Sequence, residues 1–439
     1  MSHLNFISLL GIFVMVGLAW LMSSHRRRVD WRLVVIGLLL QFVLAAVLFQ
    51  SQRWTLTGRY PNGVLFAGVE TFFDSINEYV RAGVTFVFSA NGIPEGNPTD
   101  PMTLARTFAF GVLPTVIFFA ALMSVLYHLG VMQYLIRGMA WVMQKTLRTS
   151  GAESLAAAAN VLVGHTEAPL VVKPFVAGMT RSELNALMVG GFSTISGSLM
   201  AVFVMQGISA GHLLTASIIS APAALVIAKI LQPEVDTPGE LIHARAAEEK
   251  IASNVIEAAA IGASDGMKLA INIAAMLIAF LALIALINSL LFGVGELFER
   301  LINLTRGDQP IDIEWSLNGL FAAIFYPLAW IMGIESGDCG VAGKLLGTKM
   351  VVNEFVAYLD LGAVLQEGSI SHRTEIILTY ALCGFSNFGA IGIQIGGIGP
   401  LAPERRSDLA QLGLRAMFGG MLACCMTACM AGLMYGVLQ

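Results

Sequence analysis

Eight stretches of this chain are apolar for long enough to cross roughly 30 Å of hydrocarbon, and nothing else constrains the fold as much. They lie near 4–22, 33–50, 102–127, 183–207, 212–230, 269–292, 374–400 and 408–436. Within lipid no water satisfies the backbone, so each such stretch has to be helical to pair its own N–H and C=O groups. Composition agrees: 12% of the 439 residues are charged and 56% are hydrophobic, whereas a soluble domain carries roughly 25% charged residues. The sequence therefore predicts one all-α polytopic membrane protein in place of the two or three soluble domains its length would allow.

Several function classes fall away. The formal net charge is −4 and no basic stripe is present, so a nucleic-acid backbone has nothing to grip. Cys339, Cys383, Cys424, Cys425 and Cys429 form no CxxC pair and read as small buried hydrophobes, not as a metal site or disulfide framework. His25, His128, His212, His243 and His372 have no ligand partners at recognisable spacing. Arg26, Arg27 and Arg28 follow the first apolar stretch and do not precede it, which reads as a retained span and not a cleaved signal.

Two further regions, 140–178 and 315–360, are apolar but interrupted by glycine, proline and ionisable residues. Broken backbone at membrane depth is tolerated where it is buried in protein or lines a cavity. Each region reads either as one poor span, which would invert everything after it, or as a re-entrant helical hairpin; with both re-entrant, the fold is eight transmembrane helices plus two hairpins. The bias of lysine and arginine then puts both termini outside. The expected organisation is 1–60 as N-terminal spans of a scaffold, 61–101 as an interfacial helix region and 102–230 as a first core half. A polar cytoplasmic linker follows at 231–268, and 269–439 forms the second core half.

The chain also echoes itself. "TRSELNALMVGGFSTISG" (180–197) and "HRTEIILTYALCGFSNFGAIG" (372–392) each follow an interrupted region and share an acidic residue, an apolar stretch and Gly-Phe-Ser. Because one hairpin enters from each side, the halves form an inverted repeat, the arrangement that makes alternating access physically natural.

The polar residues cluster at these interruptions. Asn160, His165, Thr166 and Glu167 fall within eight apolar-flanked residues, and Pro169 sits where a helix can start without losing an N–H. A carboxylate there must be hydrogen-bonded, paired or neutralised; Glu167 serves either solute contact or a structural cap. Thr180 and Glu183 predict a capping box. Ser193, Thr194, Ser196 and Ser198 serve either close helix packing or, with freed carbonyls, as oxygen ligands for Na⁺. In the second region Glu354 suits the two hydroxyls of a vicinal diol, or a buried pair with Lys349 or Lys344. Phe385 and Asn387 add an apolar face and an amide.

"GHTEAPLVVKPF", "MTRSEL", "GFSTISG", "GTKMVVNEFVAY" and "YALCGFSNFGAIGIQIGG" resemble, in order, signature stretches of the concentrative nucleoside transporter family, bacterial form. The resemblance covers about residues 60–437. It implies a homotrimer in the plasma membrane, the bacterial inner membrane, with nucleobase contacts from Gly164, His165, Thr166, Glu167 and Leu199. It implies ribose contacts from Glu354 and Asn387, with Phe385 beside the sugar or base. It also implies a sodium site made by the Asn160 side chain, the Val163 carbonyl, the Thr194 hydroxyl and the Ile195 carbonyl. Threonine at 194 keeps the hydroxyl of the family's common serine. Two departures bear on selectivity: His165 replaces a frequent glutamine, and Ala390 replaces a frequent serine near the ribose.

The function implied is a symporter importing nucleosides by alternating access, coupled to Na⁺ or alternatively H⁺, with no organic cofactor. A passive channel or a transporter for another polar solute would keep the same hairpins. An intramembrane enzyme would need a nucleophile or metal-ligand set beside His165 and Glu167, and none is recognisable.

Overall fold

A computed structural model describes residues 3–51, 64–88, 109–110, 113–165, 167–236, 252–306 and 316–437. All regular structure in them is helical. The first two helices, α1 (His3–Leu21) and α2 (Trp31–Ser51), are apolar spans. Next come α3 (Val64–Phe88), inside the region expected to be interfacial, and α4 (Leu113–His128), which bends by 76° into α5 (Val131–Leu147). Gly130 supplies the positive φ of +83° at that corner, a conformation that costs glycine little.

The first hairpin descends as α6 (Gly151–Val163) and returns as two single turns, α7 (Ala168–Val171) and α8 (Lys173–Val176). Ser150 and Glu153 start it with a reciprocal capping box, the Glu153 carboxylate accepting from the Ser150 N–H at 2.7 Å. Pro169 does begin a helix, but only one turn forms, because Pro174 removes an N–H and clashes with the preceding turn. The Thr180–Glu183 box then opens α9 (Arg181–Phe192) as expected, at 2.8 and 3.1 Å. After a break at 193–196 come α10 (Gly197–Met205) and α11 (Ala210–Leu231).

The second half repeats this order. Helix α12 (Val255–Arg306) begins inside the stretch expected to be polar linker, whose residues 237–251 lie outside the described ones. Helix α13 (Leu317–Ile331) occupies the start of the region expected to be the second hairpin. The hairpin itself is α14 (Cys339–Val351) and α15 (Glu354–Glu367), so it runs past the expected end at 360. Helix α16 (His372–Leu382), a break at 383–387, α17 (Phe388–Ile398) and α18 (Arg406–Val437) complete it.

Among the described residues, six helical segments are long and apolar enough to span alone, and α4 with α5 passes jointly as a bent pair. Two expected spans divide: 183–207 into α9 and α10, and 374–400 into α16 and α17. Helices α11 and α18, which occupy equivalent places in the two halves, pack on each other and are buried along most of their length. Helix α4 lies along α12, where Gly262 and Gly266 bring the backbones together; a Cβ on either would sit 2.7 Å from the Cα of Ala121 or Ile117.

Candidate functional site

Four pieces of non-helical backbone meet in the middle of the fold: the two hairpin tips and the two helix breaks. Each tip docks on the break of its own half. In the first half, Gly164 ends α6 with φ +86°, and a Cβ there would lie 2.7 Å from the Ser196 Cβ, so only glycine lets the tip reach the α9–α10 break. In the second half, the tip is Val352 and Asn353, and Asn353 caps α15 by accepting from the Val356 N–H at 2.9 Å. Glu354, next in line, accepts from the Asn387 amide at 3.2 Å, joining this tip to the α16–α17 break. The breaks themselves touch at Gly384, where a Cβ would lie 2.7 Å from the Phe192 carbonyl oxygen.

The sequence-expected ion ligands come together at the first contact. Asn160 is 1% exposed, and neither its amide oxygen nor its amide nitrogen has a hydrogen-bond partner. It rests on Gly190, whose missing side chain leaves room for it, and the same glycine's carbonyl accepts the Thr194 hydroxyl at 3.0 Å. Val163 is the last residue of α6 and Ile195 lies in the break, both buried, where helix ends leave carbonyls without intrahelical donors. An orphaned buried amide oxygen among neutral oxygens fits a hard monovalent cation. Ser193 also donates to Gly190, at 3.1 Å, and the Ser196 and Ser198 hydroxyls pair at 3.1 Å.

The expected solute ligands straddle the two halves. The His165 and Phe385 rings lie 4.2 Å apart at 58°, so the first tip faces the second break. His165 is buried with neither ring nitrogen bonded. Leu199 is buried on α10, one turn beyond the break. Glu167 lies at the N-cap of α7 and makes no side-chain capping bond. Thr166 lies outside the described residues. The Lys349 ammonium donates to the Ala381 carbonyl at 2.8 Å, a carbonyl in the last turn of α16. Asn387 is held at both ends, since its amide oxygen accepts from the Ala390 N–H at 2.8 Å while its nitrogen reaches Glu354.

The same architecture is found in known proteins. Residues 10–91 match the family profile described as Na⁺ dependent nucleoside transporter N-terminus, residues 109–210 the gate profile described as nucleoside recognition, and residues 212–432 the Na⁺ dependent nucleoside transporter C-terminus. The chain belongs to the concentrative nucleoside transporter family. An uncharacterised transporter of Haemophilus influenzae is 42% identical over 98% of both chains. The human sodium/nucleoside cotransporter 1 is 38% identical over 98% of this chain, which spans 64% of that protein's length. The transporter CNTnw in an inward-facing, substrate-bound state superposes with a TM-score of 0.87 at 37% identity, covering 99% of this chain and 98% of that one. A doubly substituted CNTnw in an outward-facing state also gives 0.87, at 38% identity, over 100% and 99%.

Within this concentrative nucleoside transporter the sequence underread several buried polar groups. Lys229, at the end of the expected span 212–230, is buried and pairs with Glu153 at 2.6 Å and Glu234 at 3.2 Å, tying α11 to the start of α6. Arg373, just before the expected span 374–400, is buried and donates to Gly333, Asn5 and Ser8 at 2.9, 2.8 and 3.0 Å. Gln394 on α17 is buried beside His165, with nothing around it in the sequence to single it out.

Proposed function

We propose that the chain is a Na⁺-coupled symporter that imports nucleosides across the bacterial inner membrane by alternating access. The observation that carries this reading is the buried Asn160 amide, unpaired at the same junction that positions His165 and Gly164. Sodium held by Asn160, Val163, Thr194 and Ile195 would order the first tip and the α9–α10 break together. Base contacts then come from Gly164, His165, Thr166, Glu167 and Leu199, and sugar contacts from Glu354 and Asn387, with Phe385 alongside. A neutral oxygen set favours Na⁺ over H⁺, because amide, hydroxyl and carbonyl oxygens bind a hard cation but are poor proton acceptors near neutral pH. Coupling requires the ion to favour one set of conformations; tight binding to all of them would move nothing. We also propose a homotrimer, supported by the family resemblance.

Uptake of uridine and adenosine into proteoliposomes tests the reading. An inward Na⁺ gradient should drive accumulation above the outside concentration, and the recovered solute should be chemically unchanged. Uptake indifferent to both Na⁺ and H⁺ gradients would leave a passive channel; a converted product would indicate an enzyme. Mass measurement of the detergent-solubilised protein tests the trimer.

A further inference from the structure

Gln394 is 2% exposed and His165 is 8% exposed, yet three of their four side-chain polar atoms have no hydrogen-bond partner: the Gln394 Oε1 and both His165 ring nitrogens. The fourth, Gln394 Nε2, donates to the Met188 carbonyl on α9 at 3.2 Å. That bond orients the amide, since a carbonyl can only accept, so Oε1 is the atom left over. Both side chains press on the same spot of α9, one turn beyond Met188. A Cβ on Gly191 would fall 2.6 Å from Gln394 Nε2 and 2.8 Å from His165 Cβ. The bare glycine is what lets them share it. On the other side, the Phe385 ring at 4.2 Å confines the imidazole.

A buried acceptor and a buried donor that stay unpaired each cost free energy, and pairing them removes both penalties. We propose that Gln394 is a specificity-determining positioning residue: its side-chain oxygen takes the N–H of His165, so that the other ring nitrogen presents a lone pair to the solute. His165 then acts as an acceptor, and the transporter selects nucleobases that offer an N–H on the edge facing it. A neutral imidazole always has one donor and one acceptor; without Gln394 either could face the base. A site built around one hydrogen-bond polarity rejects the analogue lacking the matching group, because its own buried atom is left unpaired. This inference rests on the nucleoside reading above.

The test is competition for Na⁺-driven uridine uptake by two matched pairs that differ only in whether an exocyclic amino group or a hydrogen sits on the base. These are adenosine against purine riboside, and cytidine against pyrimidin-2-one riboside. In the wild type the amino-bearing member of at least one pair should compete about tenfold more strongly. Gln394→Met should shrink that ratio to about twofold or less while uridine uptake persists. In a His165→Ala background the same change should leave the ratio where His165→Ala alone puts it. Equal competition within both pairs in the wild type, or no competition by either, would overturn the proposal without any variant. So would a Gln394→Met effect that weakens all solutes alike, or one that survives in the His165→Ala background. Absence of Na⁺-driven uridine uptake in the wild type is a separate result and would sink the transport reading itself.

Discussion

The Asn160 amide is buried at both ends without a partner, an arrangement that is destabilising unless something else bonds it in the working cycle. Asn160→Ala removes the oxygen but keeps the helix, because alanine is the best helix former. The Na⁺ concentration for half-maximal uptake should rise about tenfold or more, within the 1–3 kcal/mol usual for coupling between sites. Unchanged Na⁺ dependence would remove Asn160 from the ion site. Glu354 makes a different prediction: its buried carboxylate accepts from the Asn387 amide at 3.2 Å. Glu354→Gln should raise the KM for uridine at least tenfold and that for 2′,3′-dideoxyuridine far less, since hydrogen bonds to a charged group are worth about 1.5–3 kcal/mol. Equal losses for both solutes would mean that Glu354 serves the hairpin and not the sugar. These residues were legible because a run of polar side chains inside an apolar region has no cheap structural explanation. Lys229 and Arg373 were not, because a single polar residue near a helix end is usually solvated; Gln394 was not, because a lone amide inside an apolar segment carries no pattern, and only packing shows what surrounds it.

Helix starts were easier to read than helix breaks. The Thr180–Glu183 box is written in four consecutive letters and forms as written. The breaks at 193–196 and 383–387 interrupt sequences whose hydropathy runs straight through. Only the repeated Gly-Phe-Ser hinted at them, and it sits at a different point of each break. The extra cost of a break is offset by what docks on it, the tip of the hairpin that precedes it in the same half, and that contact is not written in the letters around the break. The buried Lys229 cluster holds one such element in place. It bonds Glu153 at the start of α6, Ser182 near the start of α9 at 3.0 Å, and Glu234 beyond α11. Lys229→Met leaves Glu153 and Glu234 without their cation and should destabilise the protein by about 3–5 kcal/mol, because a half-removed buried pair leaves a bare charge. The double change Lys229→Met with Glu153→Met should recover a large part of that loss. Thermal unfolding in detergent measures both; if the double variant is no more stable than the single, the loss comes from packing and not from an unpaired carboxylate.

At the scale of the whole molecule, the inverted repeat and the all-helical architecture follow from hydropathy and the internal echo, but the partition into moving and static parts does not. The sequence alone assigns residues 1–60 to a scaffold. Buried polar bonds favour a different partition. Arg373 at the start of α16 holds Asn5 and Ser8 of α1, Gln41 of α2 reaches Thr427 of α18 at 3.3 Å, and the Ser24 N–H donates to the Leu231 carbonyl at 2.9 Å. Breaking buried polar bonds in every transport cycle would cost more than sliding an apolar surface. The α4–α12 pair, by contrast, meets the core at α10, where among the described residues the Thr115 hydroxyl touches the Met205 sulfur at 3.1 Å. Helices α1 and α2 should therefore travel with the site, and the surface that slides should be the one between α4 and α10. A thiol-specific bifunctional reagent bridging Gln41→Cys and Thr427→Cys should leave at least half of Na⁺-driven uptake. The same reagent bridging Thr115→Cys and Met205→Cys should abolish it, and reductive cleavage of the bridge should restore it. If bridging α2 to α18 also stops transport while bridging α4 to α10 does not, the first two spans belong to the static part after all.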